Sequence, residues 1–562
     1  MDTAGAYLGA SSSVPLRVIP LGGVGEIGRN MTVLEYGQDI VVIDCGLMFP
    51  EADMLGVDLV IPDISYLRER ASSVRAFILT HGHEDHVGAL PYVLPEINAP
   101  IYAARLTRGL VEVKLREHQL VNQVSMHTVR AGERVRIGPF DVEFFHMCHS
   151  IPDNLGLAIR TPEGLVVHTS DFKFDHTPVD GQPTDFQRLA SLGAEGVLLL
   201  LCDSTNADRP GFTPSEMVVS EAFDRVFAQA PGRIIVTTFA SLISRVQQVI
   251  DTAERYGRKV ALVGRSMMQN VGMAIDLGYL RVPPGVLVPF SETERLPADQ
   301  VVLITTGAQG EPTSVLARIA NRDHHQVSIV PGDTVVLSAT PVPGNEETVH
   351  RTIDNLFRQG ADVLYHDLVD VHVSGHASQE ELKLLIAMLR PQYFLPVHGE
   401  YRHLILNARL AQGLGIPPSN IIIAEDGEVL EFQGGRARRA GSVPAGLVFV
   451  DGLGVGDVGE VVLRDRRLLS QDGIVVAVVT VDRHSGHLAG IPDIISRGFV
   501  YEREAEGLLA AARQQLQIEL NGHDDHEADF TFIQNKVHNV LSRYFHRETR
   551  RRPMIIPVVV EV

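Results

Sequence analysis

Short apolar or alternating runs broken by glycine fill residues 1–205. RVIPLGG (17–23), MTVLEYG (31–37) and DIVVIDCG (39–46) read as strands, and RAFILT (75–80) as a buried strand ending at His81. IYAA (101–104), ERVRIGPFDVEFFHM (133–147), GLAIRTPEGLVVHTSD (156–171) and GVLLLLCD (196–203) continue the pattern. PDISYLRERA (62–71), VGALPYVLPEI (87–97) and TRGLVEVKLREH (107–118) are the helices expected there. From Ser204 the rhythm changes to helix–strand alternation, the signature of a parallel sheet. Helices at 214–230, 240–257, 266–278 and 345–360, the last capped by Asn345, interleave with strands at 233–239, 259–264, 301–307 and 333–340. Strand 361–366, helix 379–390, strand 393–399, helix 401–415 and strands 421–426 and 429–432 follow. Glycine, arginine and alanine crowd 434–446, which reads as a linker. Beyond it come two amphipathic helices (504–520 and 530–545) and a final strand (554–562). The expected organisation is a first domain in two parts, 1–205 and 356–435, interrupted by an inserted domain at 206–355. A linker at 436–449 then leads to a small α+β domain at 450–562.

Gly23-Val24-Gly25-Glu26-Ile27-Gly28 fits the dinucleotide-binding pattern, but a strand-like Asn-Met-Thr-Val-Leu-Glu-Tyr follows where a helix is needed. A glycine turn in a β-hairpin is the better reading.

The chain has 562 residues, and 45% hydrophobic against 21% charged residues is a globular composition. Three cysteines without a CxxC exclude a disulfide framework. The N-terminal residues have no basic start or apolar run of secretory length, and no stretch is long enough to span a membrane. A cytoplasmic protein with no membrane association is expected. The net charge of −20 argues against a broad polyanion-binding surface.

The strongest chemical signal is Thr80-His81-Gly82-His83-Glu84-Asp85-His86, directly after a buried strand. Burying three histidines and an aspartate unpaired is costly, so packing alone does not account for the cluster. His81 and His83 can ligate one ion, and Asp85 and His86 a second beside it. His149 follows another strand, with His146 as a competitor. Asp171, with His168 and His176 nearby, can bridge two cations, and His398 follows a late strand. Asp44 reads as a carboxylate that orients a ligating histidine. Imidazole and carboxylate without thiolate suit zinc, with manganese as the alternative. Two adjacent ions suit hydrolysis, since they activate water near neutral pH and stabilise charge on the attacked centre. They also place positive charge where a phosphate would sit, so the local field opposes the global one.

HxHxDH, a single His, a single Asp and a late His resemble the metallo-β-lactamase family. The long insertion before His372-Val373-Ser374-Gly375-His376-Ala377 and Pro396-Val397-His398-Gly399-Glu400 is similar to its β-CASP branch. LGGVGEIGRN, IDCGLMFPE, THGHEDHVGA, HSIPDN, SDFKFD, DSTNA, SGHAS and PVHGEYRH together resemble the ribonuclease J family. That resemblance implies an α/β fold: an αββα metallo-β-lactamase sandwich, an inserted α/β β-CASP domain and a small α+β C-terminal domain. It implies a bacterial ribonuclease, 5′-to-3′ exonucleolytic and also endonucleolytic, that prefers 5′-monophosphorylated single-stranded RNA. Hydrolysis would leave a 5′-phosphate and a 3′-hydroxyl, serving RNA maturation and mRNA decay. Two zinc ions per chain are implied, with manganese as alternative or additional activator. One zinc would take His81, His83 and His149, the other Asp85, His86 and His398, with Asp171 bridging. A homodimer or homotetramer, and a place in an RNA-degradation complex, are also implied.

Asp203 matches the branch's extra acidic motif. With Asp85, Asp171 and His376 it makes up the expected catalytic set. His376 is the candidate to hold the scissile phosphate and protonate the leaving oxygen. His372, Val373, Ser374 and Gly375 would complete the RNA-contacting loop. A 5′-phosphate pocket is sought at helix starts in the insertion, at Ser241 to Arg245 and at Gly264-Arg265-Ser266, against the plainer reading of helix caps with solvated arginines. Arg543, Arg547, Arg550, Arg551 and Arg552 read as a solvated helix face and last turn rather than an RNA patch. The competing functions are a DNA-directed β-CASP nuclease, a small-molecule metallohydrolase and a non-catalytic scaffold. Only substrate assays separate the first, whereas the insertion and SGHAS do not fit the second. The intact ligand set argues against the third.

Overall fold

The computed structural model describes residues 14–51, 53–308, 314–341, 345–482, 488–500, 502–521 and 530–562. Residues 1–13, on which the expectation about a leader rests, lie outside the described residues. The chain divides into two units, Met1–Glu51 with Leu59–Val448, and Ala52–Asp58 with Phe449–Val562.

In the first unit, an eight-stranded sheet runs in the order Arg436–Ser442, Glu428–Gln433, Leu16–Gly22, Met31–Tyr36, Asp39–Ile43, Val74–Ile78, Ile101–Ala103 and Met126–Thr128. A six-stranded sheet runs Tyr393–Val397, Val197–Asp203, Gly164–His168, Leu155–Thr161, Phe140–His146 and Arg134–Ile137. Leu16, Val18, Leu34, Val41 and Ile78 of the first sheet meet Phe144, Leu157, Val166, Leu199, Leu201 and Leu395 of the second in one buried layer. On the other face of the second sheet, Phe145, Val167, Leu200 and Phe394 pack against Leu189, Leu192, Leu382, Leu385 and Ala411 of three helices. Side chains that alternate across a strand build such a two-sided sheet.

Five parallel strands lie between the two parts of this sandwich in sequence, in the order Lys259–Val263, Val301–Thr305, Ile234–Thr237, Thr334–Leu337 and Asp362–Leu364. One apolar layer joins the sheet to helices Met217–Gln229, Ile243–Arg255 and Arg265–Asp276, and a second joins it to Val315–Ala320 and Glu346–Arg358. In the second unit, strands Asp493–Arg497, Ile474–Val481 and Met554–Glu561 form a sheet backed by helices Glu502–Asn521 and Phe530–Thr549. Among the described residues no helix is long and apolar enough to cross a membrane.

Three local expectations are corrected. The stretch read as the start of a linker forms strand Arg436–Ser442, which pairs with Glu428–Gln433 through backbone bonds while most of its residues stay exposed. Residues 421–426 form no strand beyond a single bridge from Ile421 to Phe394. Asn345 precedes helix Glu346–Arg358 in an α conformation, and its side chain makes no capping bond. The glycine segment after Leu16–Gly22 does lead into the antiparallel strand Met31–Tyr36.

Of the C-terminal arginines, Arg547 stacks over Tyr544 and pairs with Glu548, while Arg551 donates to the Phe499 carbonyl.

Candidate metal centre

Strand directions explain why distant residues meet. Gly164–His168, Val197–Asp203 and Tyr393–Val397 are parallel neighbours, so Asp171, Asp203 and His398 emerge at one edge. Across the sandwich, the parallel pair Asp39–Ile43 and Val74–Ile78 delivers Asp44 and the His81–His86 turn to the same place. Asp44, Ser170 and His398 adopt left-handed backbone conformations, with φ of 61°, 58° and 52°. Such strain at strand ends is characteristic of functional sites.

His81, His83, His149 and Asp171 present one ligand atom each to a common point, and so do Asp85, His86, Asp171 and His398. In the first group His81 Nε2 and His83 Nδ1 are 3.1 Å apart, and His83 Nδ1 and His149 Nε2 3.2 Å. Asp171 Oδ2 lies 3.6 Å from His81 Nε2 and 3.8 Å from His149 Nε2. In the second group Asp171 Oδ2 is 3.2 Å from His86 Nε2, and Asp85 Oδ2 is 3.6 Å from His86 Nε2 and 3.2 Å from His398 Nε2. Ligands about 2.1 Å from a tetrahedral ion are roughly 3.4 Å from one another. The spacings therefore fit two divalent cations, with one oxygen of Asp171 facing both positions.

Burial keeps the first group in the ligating form. It pushes His83 down to about 4 and His149 to about 3, and drives His81 well below its ordinary value, so all three are neutral at pH 7. In the second group burial opposes charge, but Asp171, Asp85 and Asp44 outweigh it and raise His86 well above its ordinary value. His398 rises to about 10 against its burial, chiefly through Asp171 and Asp203. Both shifts run against the neutral imidazole that a metal requires, so cation binding at the second position would release protons.

The ligands are themselves held. Asp44 lies 2.8 Å from His86 Nδ1 and accepts from the Thr80 amide and hydroxyl at 2.8 Å each. The hydroxyls of Thr80 and Ser170 are 3.1 and 3.3 Å from His81 Nδ1. Thr205 Oγ1 is 2.7 Å from His398 Nδ1 and donates to Asp203 at 2.8 Å. His149 donates from Nδ1 to the Gly375 carbonyl at 2.7 Å. Asn30, two residues past the rejected glycine motif, donates to the Asp85 carbonyl at 3.0 Å and sits 3.2 Å from His86 Nε2. The Gly23 carbonyl accepts from the His398 amide at 2.7 Å. Sequence reasoning anticipated Asp44 alone among these partners. Thr80, Ser170 and Asn30 adjoin or lie within motifs it had already quoted, and Thr205 lies in DSTNA.

His376 Nδ1 is 2.8 Å from Asp203 Oδ2, and its ring packs against those of His398 and His149. At 19% side-chain exposure it is more open than Asp203, His149 or His398. Ser374 stands beside it, its hydroxyl accepting from Asn206 Nδ2 at 2.8 Å.

Other expected residues lie elsewhere. Val373 is buried in the apolar layer of the inserted sheet. His372 neighbours Arg245, Glu216 and Lys173, and burial with the Arg245 charge pushes it down to about 3. Arg245 is buried and pairs with Glu216 at 2.8 Å, and it also donates to Gln248, Ser338 and the Val371 carbonyl. The guanidinium holds the fold together, which is why a free phosphate-binding arginine is not found there. Ser241 precedes helix Ile243–Arg255 without capping it, and Arg265 is exposed at the first position of helix Arg265–Asp276. His146 bonds the Gln182 carbonyl, His168 accepts from the Ser170 amide and His176 stacks on Phe186, so none joins the metal groups.

Comparison with known proteins decides the family. Residues 231–356 match the family "Ribonuclease J, beta-CASP domain" and residues 461–562 "Ribonuclease J C-terminal domain". Residues 24–197 match the metallo-beta-lactamase superfamily and 361–421 the "Zn-dependent metallo-hydrolase RNA specificity domain". Ribonuclease J of Thermus thermophilus is 46% identical over 97% of this chain and 95% of its own length. The chain belongs to the ribonuclease J family. Ribonuclease J2 of Bacillus subtilis is 43% identical over 97% of this chain and 99% of its own. A crystal structure of an Enterococcus faecalis protein of unknown function shares the fold at a TM-score of 0.52 and 16% identity, covering 74% of this chain and all of that one. Membership of the ribonuclease J family accounts for the long insertion and for the SGHAS motif after it, which a metallo-β-lactamase domain alone does not explain.

Proposed function

We propose that this ribonuclease J family member hydrolyses single-stranded RNA at the His81–His398 centre, from 5′-monophosphorylated ends and also internally. The observation that carries this reading is the pair of ligand groups sharing Asp171, with the more exposed His376 beside them. Zinc is the proposed occupant of both positions because the donors are imidazole and carboxylate, with manganese as alternative activator. Two such ions supply charge neutralisation at phosphorus and activate water near neutral pH.

The chain's own groups do the rest. Asp203 fixes the His376 ring through Nδ1, leaving Nε2 to face substrate. From there His376 holds the scissile phosphate and gives a proton to the departing 3′-oxygen. Asp85 and Asp171 stay ionised: burial alone would raise both, but histidine neighbours, led by His86 for Asp85 and His398 for Asp171, hold them below the usual carboxylate range. Ser374 supports His376 by accepting from its amide at 3.2 Å and from Asn206 Nδ2 at 2.8 Å. A product with a 5′-phosphate is again a substrate, which suits progress along one strand.

We also infer a metallo-β-lactamase part at 1–205 that resumes late and ends at 435, a β-CASP part from 206 and a C-terminal part at 450–562. The β-CASP part runs past the expected limit of 355, because strand Asp362–Leu364 pairs within the inserted sheet. A cytoplasmic homodimer or homotetramer, working in an RNA-degradation complex, is the assembly this reading favours. For the 5′-phosphate, exposed Arg265 is the surviving arginine candidate.

One experiment tests the reading. The protein is incubated with 5′-monophosphate, 5′-triphosphate and 5′-hydroxyl forms of one RNA and with matching DNA, and products are mapped by length. Mononucleotides from the monophosphorylated RNA are expected, with longer fragments from internal cuts. Equal digestion of DNA, or of all three ends, defeats the substrate assignment.

A further inference from the structure

Gly375 differs from most glycines of the chain. It has no left-handed backbone angle, so conformation does not require glycine there. Space does. A Cβ on Gly375 would lie 2.5 Å from His149 Cε1, 2.7 Å from His149 Nδ1 and 3.0 Å from Ser150 Cβ. The main chain thus presses on the imidazole edge, and the Gly375 carbonyl takes the His149 Nδ1 proton at 2.7 Å. That bond fixes the tautomer and leaves Nε2, the atom facing His83 and Asp171, with its lone pair free.

The segment carrying Gly375 is pinned on both sides. At Val371 the carbonyl accepts from Arg245 Nη1 at 2.9 Å and from Ser338 Oγ at 2.5 Å, both in the inserted α/β region. At His376 the carbonyl accepts from Asn206 Nδ2 at 3.0 Å and Thr213 Oγ1 at 2.7 Å, while Asn206 also holds the Ser374 hydroxyl at 2.8 Å. One short stretch therefore bears His376, contacts the insertion and grips a ligand of the first metal position.

We propose that Gly375 is a positioning residue for the three-histidine metal site, and that the pinned segment 371–376 sets the affinity of that site. The proposal rests on the reading of His149 as a metal ligand. Because the same segment carries the group that faces substrate, a displacement there acts on both, and the coupling is reciprocal.

The test is a zinc competition titration against a chelator on the full-length protein, with near-ultraviolet circular dichroism reporting the fold. Wild type, H149A, G375A and N206A are compared. H149A is expected to lose one of two zinc ions. G375A should hold that ion about 10–100-fold more weakly while keeping the other, the range seen when an outer partner of a ligand is disturbed. N206A, which loosens the segment without a clash, should weaken the same ion by a smaller factor. Cobalt substitution gives a second readout, because only the site containing His149 should change its visible absorption in G375A. If H149A loses an ion while folded G375A and N206A bind both ions as wild type does, the proposal is wrong and the ligand assignment stands. If H149A retains both ions, the ligand assignment fails and the proposal with it. Should G375A not fold, unchanged zinc affinity in N206A overturns the proposal.

Discussion

The Asp203 carboxylate holds His376 Nδ1 at 2.8 Å with one oxygen, while its other oxygen accepts from the Thr205 amide and hydroxyl at 3.0 and 2.8 Å. Asp203 therefore faces the imidazole with one oxygen, which also accepts from the Phe172 amide at 3.4 Å, and the Thr205 donors with the other. Asp203→Asn keeps the shape but must turn its amide nitrogen toward either His376 or the Thr205 donors. If toward His376, the ring takes the other tautomer; if toward Thr205, a buried donor pair clashes. The turnover of RNA should fall about 100-fold, within the range for loss of a proton-transfer group. Zinc content should be close to wild type, and cleavage rate with metal analysis on one preparation checks both. A variant with wild-type turnover would remove Asp203 from the positioning of His376.

Asp44 acts on the second metal position in a similar way. It contacts His86 Nδ1 at 2.8 Å and is buried, with Thr80 supplying two further bonds. Asp44→Asn should weaken one zinc ion about 10–100-fold. Excess zinc in the assay should then restore much of the activity, which distinguishes lost affinity from a misfolded centre.

The residues that the fold gathers into the two candidate ligand groups were legible in the sequence because four of them sit in one contiguous motif and the rest follow apolar strands. Their partners were less so. Thr205, Ser170 and Asn30 are neutral side chains whose roles depend on which strand ends meet, and the Gly375 carbonyl is backbone that no residue type announces. Arg245 misled because an arginine near a helix start resembles a phosphate site. Its partner Glu216 lies 29 positions away, and only the packed structure shows the pair to be buried. Strand Arg436–Ser442 was read as linker because an exposed edge strand held by backbone bonds carries no apolar alternation. The broad fold was clearer, since runs of strands followed by helix–strand alternation match the two sheets facing each other and the five-stranded parallel sheet.

Asp426 gives a pH signature. Burial, with Glu26 nearby, pushes its carboxyl up to about 7 although Arg29 opposes the shift. A carboxyl whose pKa is raised on folding binds its proton more tightly in the folded chain. Stability from this group is therefore full below about 4, and falls by up to about 1.4 kcal/mol per unit as pH rises toward 7. Asp426→Asn keeps an acceptor for Arg29 and removes the charge. Its thermal midpoint relative to wild type should rise between pH 5 and pH 8. A difference that is flat or falling over that range would contradict the shift.

Arg245 is expected to matter for stability rather than for reading the RNA end. Its guanidinium is 1% exposed and paired with Glu216, which also receives Lys173 at 3.2 Å. Arg245→Met fills similar volume but leaves Glu216 with one cation fewer and the Val371 carbonyl with one donor fewer. Removing one partner of a buried ion pair costs about 3–5 kcal/mol. The variant should melt at a lower temperature, and at a temperature where it is folded its preference for 5′-monophosphate over 5′-hydroxyl RNA should match wild type. Arg265→Ala, at an exposed helix start, should do the reverse: near-normal melting with a reduced preference. Loss of end discrimination in folded Arg245→Met would return that arginine to the phosphate pocket, because a purely structural anchor has no reason to distinguish the two RNA ends.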